Sequence, residues 1–136
     1  MVREIVHDPI FLAQKSVPAT AADAGIADDL MDTLKANAER CVGMAANMIG
    51  EAKCIIVFCD GGNYVEMFNP VILRAQAPYE TEEGCLSLSG VRKTKRYQKI
   101  KVQWQTRDMQ QRVKNFSGWS AEIIQHELDH CGGVLI

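Results

Sequence analysis

The residues of this sequence best suited to chemistry lie near its C-terminal end. His126-Glu127-Leu128-Asp129-His130 matches the pattern H-E-x-x-H. On a helix, residues four apart lie on one face, so both imidazoles can converge on a single metal ion while Glu127 lies beside the open coordination position. In a chain this short, a chance match occurs on the order of once in a few hundred sequences. The pentapeptide therefore predicts a metal site.

A hydrolytic metal site usually takes three protein ligands and leaves one position for water, so a third ligand is required. The residues after His130 carry no imidazole or carboxylate side chain, which places that ligand upstream. Cys131 itself points about a third of a turn away from His130. The upstream candidates are His7 in an irregular arm, Cys41 at a helix end, Cys54 and Cys59 in an apolar run predicted to be core, and Cys85. Cys85 differs because it follows a glycine in a polar segment, and a thiolate with two imidazoles suits Zn²⁺ or Fe²⁺.

The elements that must position these residues begin with an irregular arm and a helix. The first part of the chain contains Asp8-Pro9 and Val17-Pro18, which break helices, so we predict an arm with a short strand at most. Apolar residues then recur at helical spacing from about Ala27 to Arg40. This spacing predicts the first helix.

Strand-like segments follow that helix. Ala52 to Cys59 and Tyr64 to Asn69 flank an Asp-Gly-Gly-Asn turn, which predicts a β-hairpin. Two further strands are predicted at Lys99 to Gln105 and Gln111 to Phe116. With a helix at each end, these strands predict an α+β domain in which antiparallel or mixed sheets pack around the last helix.

The last helix is predicted from about Ser117 to Cys131, where no proline occurs and a serine can cap the start. The stripe that we expect to face inward consists of Trp119, Ile123, His126 and His130. Two inward-facing imidazoles need a partner. The stripe therefore favours a metal ion over two histidines that only pack.

The composition is that of an ordinary globular protein. The chain has 136 residues, 47% of them apolar and 24% charged, with a net charge of −2, which predicts one domain over residues 1–136 and excludes a fibrous or disordered role. Five cysteines, an odd number at irregular spacing, predict free thiols. The apolar runs are too short for a membrane span and no secretory signal is evident, so we predict a cytoplasmic protein with no membrane partner.

The charged residues give little reason to expect a specific nucleic-acid partner, because the net charge is small. One segment, Arg92 to Lys101, is strongly basic. We interpret it as a solvated face of a strand or loop. The alternative is weak contact with ribosomal RNA, since phosphate contacts need little beyond lysine and arginine.

Taken together, these motifs resemble the peptide deformylase family over nearly the whole chain. Its second signature, E-G-C-L-S, is met without change by Glu83-Gly84-Cys85-Leu86-Ser87, and its third is met by the H-E-x-x-H segment with Gln125 before it. Its first, G-x-G-x-A-A-x-Q, is met in part by the segment from Cys41 to Met48. In this segment Cys41 replaces a glycine and Met48 replaces the glutamine.

The resemblance implies a metal-dependent hydrolase that removes the formyl group from the N-terminal formylmethionine of nascent polypeptides. It implies that one divalent metal ion, Fe²⁺ in the cell and Zn²⁺ or Ni²⁺ in some preparations, is held by the ligands Cys85, His126 and His130. Glu127 would be the general base, the backbone N–H of Leu86 would stabilise the oxyanion, and the backbone near Gly43 would pair with the peptide. The implied partners are the formylmethionyl peptide and the ribosome.

Met48 separates the leading hypothesis from its main alternative. The family glutamine donates a hydrogen bond to the formyl oxygen, whereas a thioether has no donor. Losing one such donor costs on the order of 10²–10³ in rate. The chain is therefore either an active deformylase slowed at this position or a deformylase-like protein that binds metal and peptide with little turnover. A metalloprotease is disfavoured because no ligand follows His130.

Overall fold

The computed structural model, which describes residues 1–136, contains three α-helices and five β-strands. The helices are α1 (Pro9–Leu12), α2 (Ala24–Ala36) and α3 (Gly118–Cys131), and the strands are β1 (Gly43–Ala45), β2 (Ile55–Asp60), β3 (Asn63–Gly84), β4 (Val91–Gln105) and β5 (Gln111–Ser117). All neighbouring strands are antiparallel, and they form one sheet in the order β1-β2-β3-β4-β5. The α+β class is confirmed, with one antiparallel sheet and a C-terminal helix. No helix combines the length and hydropathy that a membrane span requires.

The predicted hairpin is present, and its second strand is much longer than expected. β2 and β3 pair from Asp60 opposite Asn63 onwards, across two glycines with positive φ. β3 then continues to Gly84 and pairs along its length with β4. The sequence pattern does not predict this extension because most side chains in it are exposed on both faces, which removes the apolar alternation that marks a strand.

The core lies on both faces of the sheet because successive side chains of β2 point in opposite directions. On one face, Ile55 and Val57 pack in a buried cluster with Leu30 and Leu34 of α2. On the other face, Ile56 and Phe58 belong to a second buried cluster, which contains Ile123 and Ile124 of α3. α3 is thus fixed against the sheet, and its histidines are carried into the interior.

The N-terminal arm contains a helix where we predicted none. Asp8-Pro9 starts α1 instead of breaking it, because proline is favourable at the first helical position and the Asp8 side chain accepts a hydrogen bond from the N–H of Ile10. α2 also begins earlier than predicted, at Ala24, directly after a short 3₁₀ turn capped by Thr20 and Asp23. It ends at Ala36, so the predicted end at Arg40 was wrong.

The inward stripe predicted on α3 is correct for three of its four members. Ile123, His126 and His130 are buried, whereas Trp119 is 62% exposed. Trp119 belongs to the first turn of α3 and lies at the wall of the cavity described below. Helical spacing predicts the direction in which a side chain points, but the side chain is buried only if other residues pack against it.

Candidate metal centre and active site

The structure brings the predicted ligands together. Cys85 directly follows β3, and His126 and His130 lie one turn apart on α3. The Cys85 Sγ and the His126 Nε2 each lie 3.2 Å from the His130 Nε2. One ligand atom from each of the three residues lies within 4.8 Å of the other two, so the group could hold a metal ion. The other candidates of the sequence, His7, Cys41, Cys54 and Cys59, do not join this group.

The hydrogen bond that His126 makes through Nδ1 orients its ring, whereas the Nδ1 of His130 has no partner in the chain. The Nδ1–H of His126 donates to Glu83 Oε1 at 2.7 Å, which directs its Nε2 towards the other two ligand atoms. Burial lowers the pKa of His130 to about 3, so this ring is neutral at physiological pH. One sulfur and two ring nitrogens, one atom from each residue, lie within 4.8 Å of one another. This donor set fits a divalent ion of the Fe²⁺ or Zn²⁺ type.

Behind the ligands lies a buried ion pair that the sequence analysis did not find. Arg96 of β4 is 4% exposed, and its Nε and Nη2 donate to the Glu83 carboxylate at 3.0 and 2.7 Å. Its Nη1 donates to Asp129 Oδ2 on α3 at 2.7 Å. Burial alone would raise the pKa of Glu83, but hydrogen bonds from His126 and Arg96 lower it to about 2. Glu83 therefore stays a carboxylate and keeps the His126 ring oriented.

The buried ion pair predicts that metal affinity depends on Glu83. Glu83→Gln keeps the size of the side chain but removes the charge that orients His126 and binds Arg96. We expect metal affinity to fall by about 10- to 100-fold, the usual effect of losing a partner behind a metal-bound histidine. Competition with a chelator, on protein prepared without oxygen, measures this. Glu80→Gln, at an exposed position of the same strand, is the control, and equal affinities for both variants would contradict the prediction.

Glu127 has the environment of a proton-transfer group. It is 4% exposed, and its Oε1 has no hydrogen-bond partner. Burial raises the pKa of Glu127 to about 7. A carboxyl group that titrates near neutrality can both take and return a proton, which is the property that a general base and acid requires.

Cys85, His126 and Glu127 border a cavity of about 520 Å³, a size typical of small-molecule and peptide sites. Gly43, Met48 and Leu86, the other predicted site residues, also line it. A Cβ atom at Gly43 would lie 2.6 Å from the Cγ2 of Ile123 and 3.0 Å from Glu127 Oε2. Glycine is therefore needed here for close approach of β1 to α3.

β1 lies at the edge of the sheet, and its first residue, Gly43, lines the cavity. Gly43 lies opposite Phe58, and the N–H of Cys59 donates to the carbonyl of Val42 at 2.9 Å. In an antiparallel ladder this register turns the N–H and C=O of Gly43 away from β2. The Gly43 carbonyl accepts a hydrogen bond from the Cys41 thiol at 2.9 Å. An extended peptide could pair with this edge.

The donors available for a developing negative charge are few. Met48 is 1% exposed and offers only a thioether to the cavity. The side-chain N–H of Asn47 donates to the carbonyl of His130 at 2.9 Å, and Asn47 does not line the cavity. The backbone N–H of Leu86 has no partner in the chain and is free to donate.

Comparison with known proteins agrees with this geometry. The family model described as polypeptide deformylase matches residues 2–136. The chain is 54% identical over 136 residues to a peptide deformylase of Clostridium beijerinckii, with both chains fully covered. It is 35% identical over 129 residues to one of Desulfitobacterium hafniense, covering 91% of this chain and 84% of the relative.

Solved structures give the same result. A class I type b peptide deformylase from Acinetobacter baumannii with Met-Ala-Ser bound superposes with a TM-score of 0.89 at 27% identity, covering 99% of this chain and 97% of the other. The peptide deformylase from Thermotoga maritima superposes with a TM-score of 0.88 at 29% identity, covering 99% and 95%. With its sequence matched from residue 2 to residue 136 and its cysteine and histidines gathered at one point, the chain belongs to the peptide deformylase family.

Proposed function

We propose that Cys85, His126 and His130 hold one divalent metal ion and that the neighbouring residues use it to remove the formyl group from N-terminal formylmethionine. The observation that carries this proposal is the convergence of the cysteine sulfur and two imidazole nitrogens beside the buried carboxyl group of Glu127. We propose Fe²⁺ as the ion in the cell, with Zn²⁺ or Ni²⁺ replacing it in some preparations.

Glu127 carries the proton in the proposed reaction. When bound, the ion acts as a Lewis acid that lowers the pKa of water and polarises a carbonyl group. Glu127 takes a proton from water as the water oxygen bonds to the formyl carbon. The bond from that carbon to the amine nitrogen then breaks, and Glu127 returns the proton to the nitrogen. Water and the formylated peptide thus become formate and a free N-terminus.

The substrate would lie along β1. The backbone of Gly43 would pair with the extended peptide, and the N–H of Leu86 would donate to the formyl oxygen as charge develops there. Val42 and Ile123 line the cavity and would contact the methionine side chain. The Acinetobacter baumannii relative was solved with the peptide Met-Ala-Ser bound, which supports a peptide that begins with methionine as the ligand.

The setting of the reaction follows from its substrate. Formylmethionine begins a nascent chain, so we propose that the protein, as one domain over residues 1–136, acts in the cytoplasm on chains still attached to the ribosome. The experiment that tests the function is hydrolysis of a formyl-methionyl peptide by protein prepared without oxygen, with release of formate as the measured product.

Met48→Gln separates this function from its main alternative. The substitution places a side-chain donor at the cavity wall, so we expect kcat to rise by about 10²- to 10³-fold. Formate release by the parent and the variant, at matched metal content, is the measurement. If the parent releases no formate and the variant does, the protein is one that binds metal and peptide with little turnover. If internal peptide bonds are cleaved, the protein is a metalloprotease. Met48→Leu, which adds no donor, is the control.

A further inference from the structure

A groove on the far side of the sheet carries positive charge that the reaction does not use. Ile100 and Val102 are buried against α3, so the alternating Lys99 and Lys101 point to the opposite face. The register places Lys101 between Arg74 and Asn115, and Lys99 between Gln76 and Ser117. These six polar residues, together with Ile100 and Phe116, line a cavity of about 360 Å³.

The charge of this basic groove, defined as Arg74, Gln76, Lys99, Lys101, Asn115 and Ser117, is not neutralised nearby. The parts of the chain around the groove, residues 67–79, 96–107 and 109–121, contain no aspartate or glutamate. Arg74, Lys99 and Lys101 take part in no ion pair, whereas Arg96 and Arg107 in the same segments each bind two carboxylates. In a chain with a net charge of −2, this is a strong local separation of charge.

The strongly basic segment from Arg92 to Lys101 is thus divided by the fold into parts with different partners. Lys93 and Lys95 lie opposite Glu82 and Glu80 in the register of β3 and β4, where opposite charges attract across the strands. Arg96 is buried in the ion pair behind the metal ligands, so our interpretation of the whole segment as a solvated face was wrong for this residue. Only the end of the segment has positive charge without an acidic neighbour.

We infer that the basic groove binds the phosphate backbone of RNA. Two lysines and an arginine supply the charge, and the amide and hydroxyl groups of Gln76, Asn115 and Ser117 supply hydrogen bonds of the kind that phosphate oxygens accept. A recess admits a phosphodiester strand, whereas a flat bilayer surface cannot enter it. None of the groove residues lines the cavity of the active site, so bound RNA leaves that cavity open.

The proposed function identifies the RNA. A protein that acts on nascent chains works next to ribosomal RNA, and the groove would hold it there while the free edge of β1 receives the peptide. This step rests on the proposed function, but phosphate binding itself does not.

The test compares two double variants with the same change in net charge. Lys99→Gln with Lys101→Gln removes two charges from the groove. Lys93→Gln with Lys95→Gln removes two charges of the same strand that lie opposite glutamates in the register. The probes are purified bacterial ribosomes and a fluorescein-labelled poly(U) oligonucleotide. For three phosphate contacts, parent affinity should fall by about 20- to 40-fold between 50 and 200 mM salt.

The groove variant should lower the salt slope by about two, one for each lysine, while the control variant keeps the parent slope. Equal losses for both variants would overturn the inference in favour of net charge alone. Binding to vesicles of phosphatidylglycerol and phosphatidylcholine without binding to either RNA probe would overturn it in favour of a membrane. Formate release from a free formyl-methionyl peptide should be the same in all three proteins, so failure of the enzymatic function is seen separately.

Discussion

Glu127→Gln is expected to lower kcat for a formyl-methionyl peptide by about 10²- to 10⁴-fold, the range over which a positioned proton-transfer group acts. The amide keeps the shape of the buried side chain, and its neighbours Gly43 and Ile123 are not disturbed. It cannot take a proton from water or return one to the amine. Because Glu127 is not among the three residues that could hold a metal ion, metal content should stay at the parent level.

Glu122→Gln is the matched control for this experiment. Glu122 lies on the same helix and also borders the cavity, where its carboxylate accepts a hydrogen bond from the Tyr79 hydroxyl at 3.2 Å. We expect kcat of this variant to change much less than that of Glu127→Gln. If Glu127→Gln retains the parent kcat with metal bound, another group carries the proton and the mechanism proposed above is wrong.

Cys85→Ala is expected to remove both the metal ion and the activity. The sulfur is the only one of the three ligand groups that becomes an anion on binding, and two imidazoles alone form an incomplete site. The loss of affinity should exceed the 10- to 100-fold expected for Glu83→Gln, because a direct ligand is removed. Metal analysis after gel filtration without oxygen gives the ion content, and formate release gives the activity.

Cys59→Ala removes a half-buried thiol outside this group and should retain both metal and activity. A second experiment removes the metal from the parent protein and adds it back. Dialysis against a chelator should abolish formate release, and addition of Fe²⁺ or Zn²⁺ should restore it in the parent but not in Cys85→Ala. One ion per chain in Cys85→Ala would show that a different residue completes the site.

Much of the candidate site could be predicted from sequence because most of its residues are close together along the chain. The two histidines are one helical turn apart, and a helix without proline turns them to the same side. The polar segment around Cys85, which matches a family signature, distinguishes this residue from the other cysteines. The hairpin was predicted from its glycine turn for the same reason, since all the necessary residues are adjacent in the chain.

The partners of Glu83 could not be predicted in this way. Arg96 reaches Glu83 only because β3 and β4 pair. It reaches Asp129 only because α3 packs beside these two strands. The sequence shows Arg96 among other basic residues, where a solvated position is the ordinary expectation. Burial of one arginine among exposed lysines is set by tertiary contacts, which spacing along the chain does not encode.

If a peptide pairs with β1 as proposed, the length of this strand limits how many of the peptide's residues it can align. A strand edge recognises main-chain amides, which every polypeptide shares, and discrimination falls to the pockets between them. β1 has only three residues, Gly43–Ala45, so it can align only the beginning of a chain. Under the proposed function, residues of the substrate beyond this short edge would form no main-chain ladder with β1. Selectivity would then depend on the first residue of the chain, and peptides of many different downstream sequences would be accepted.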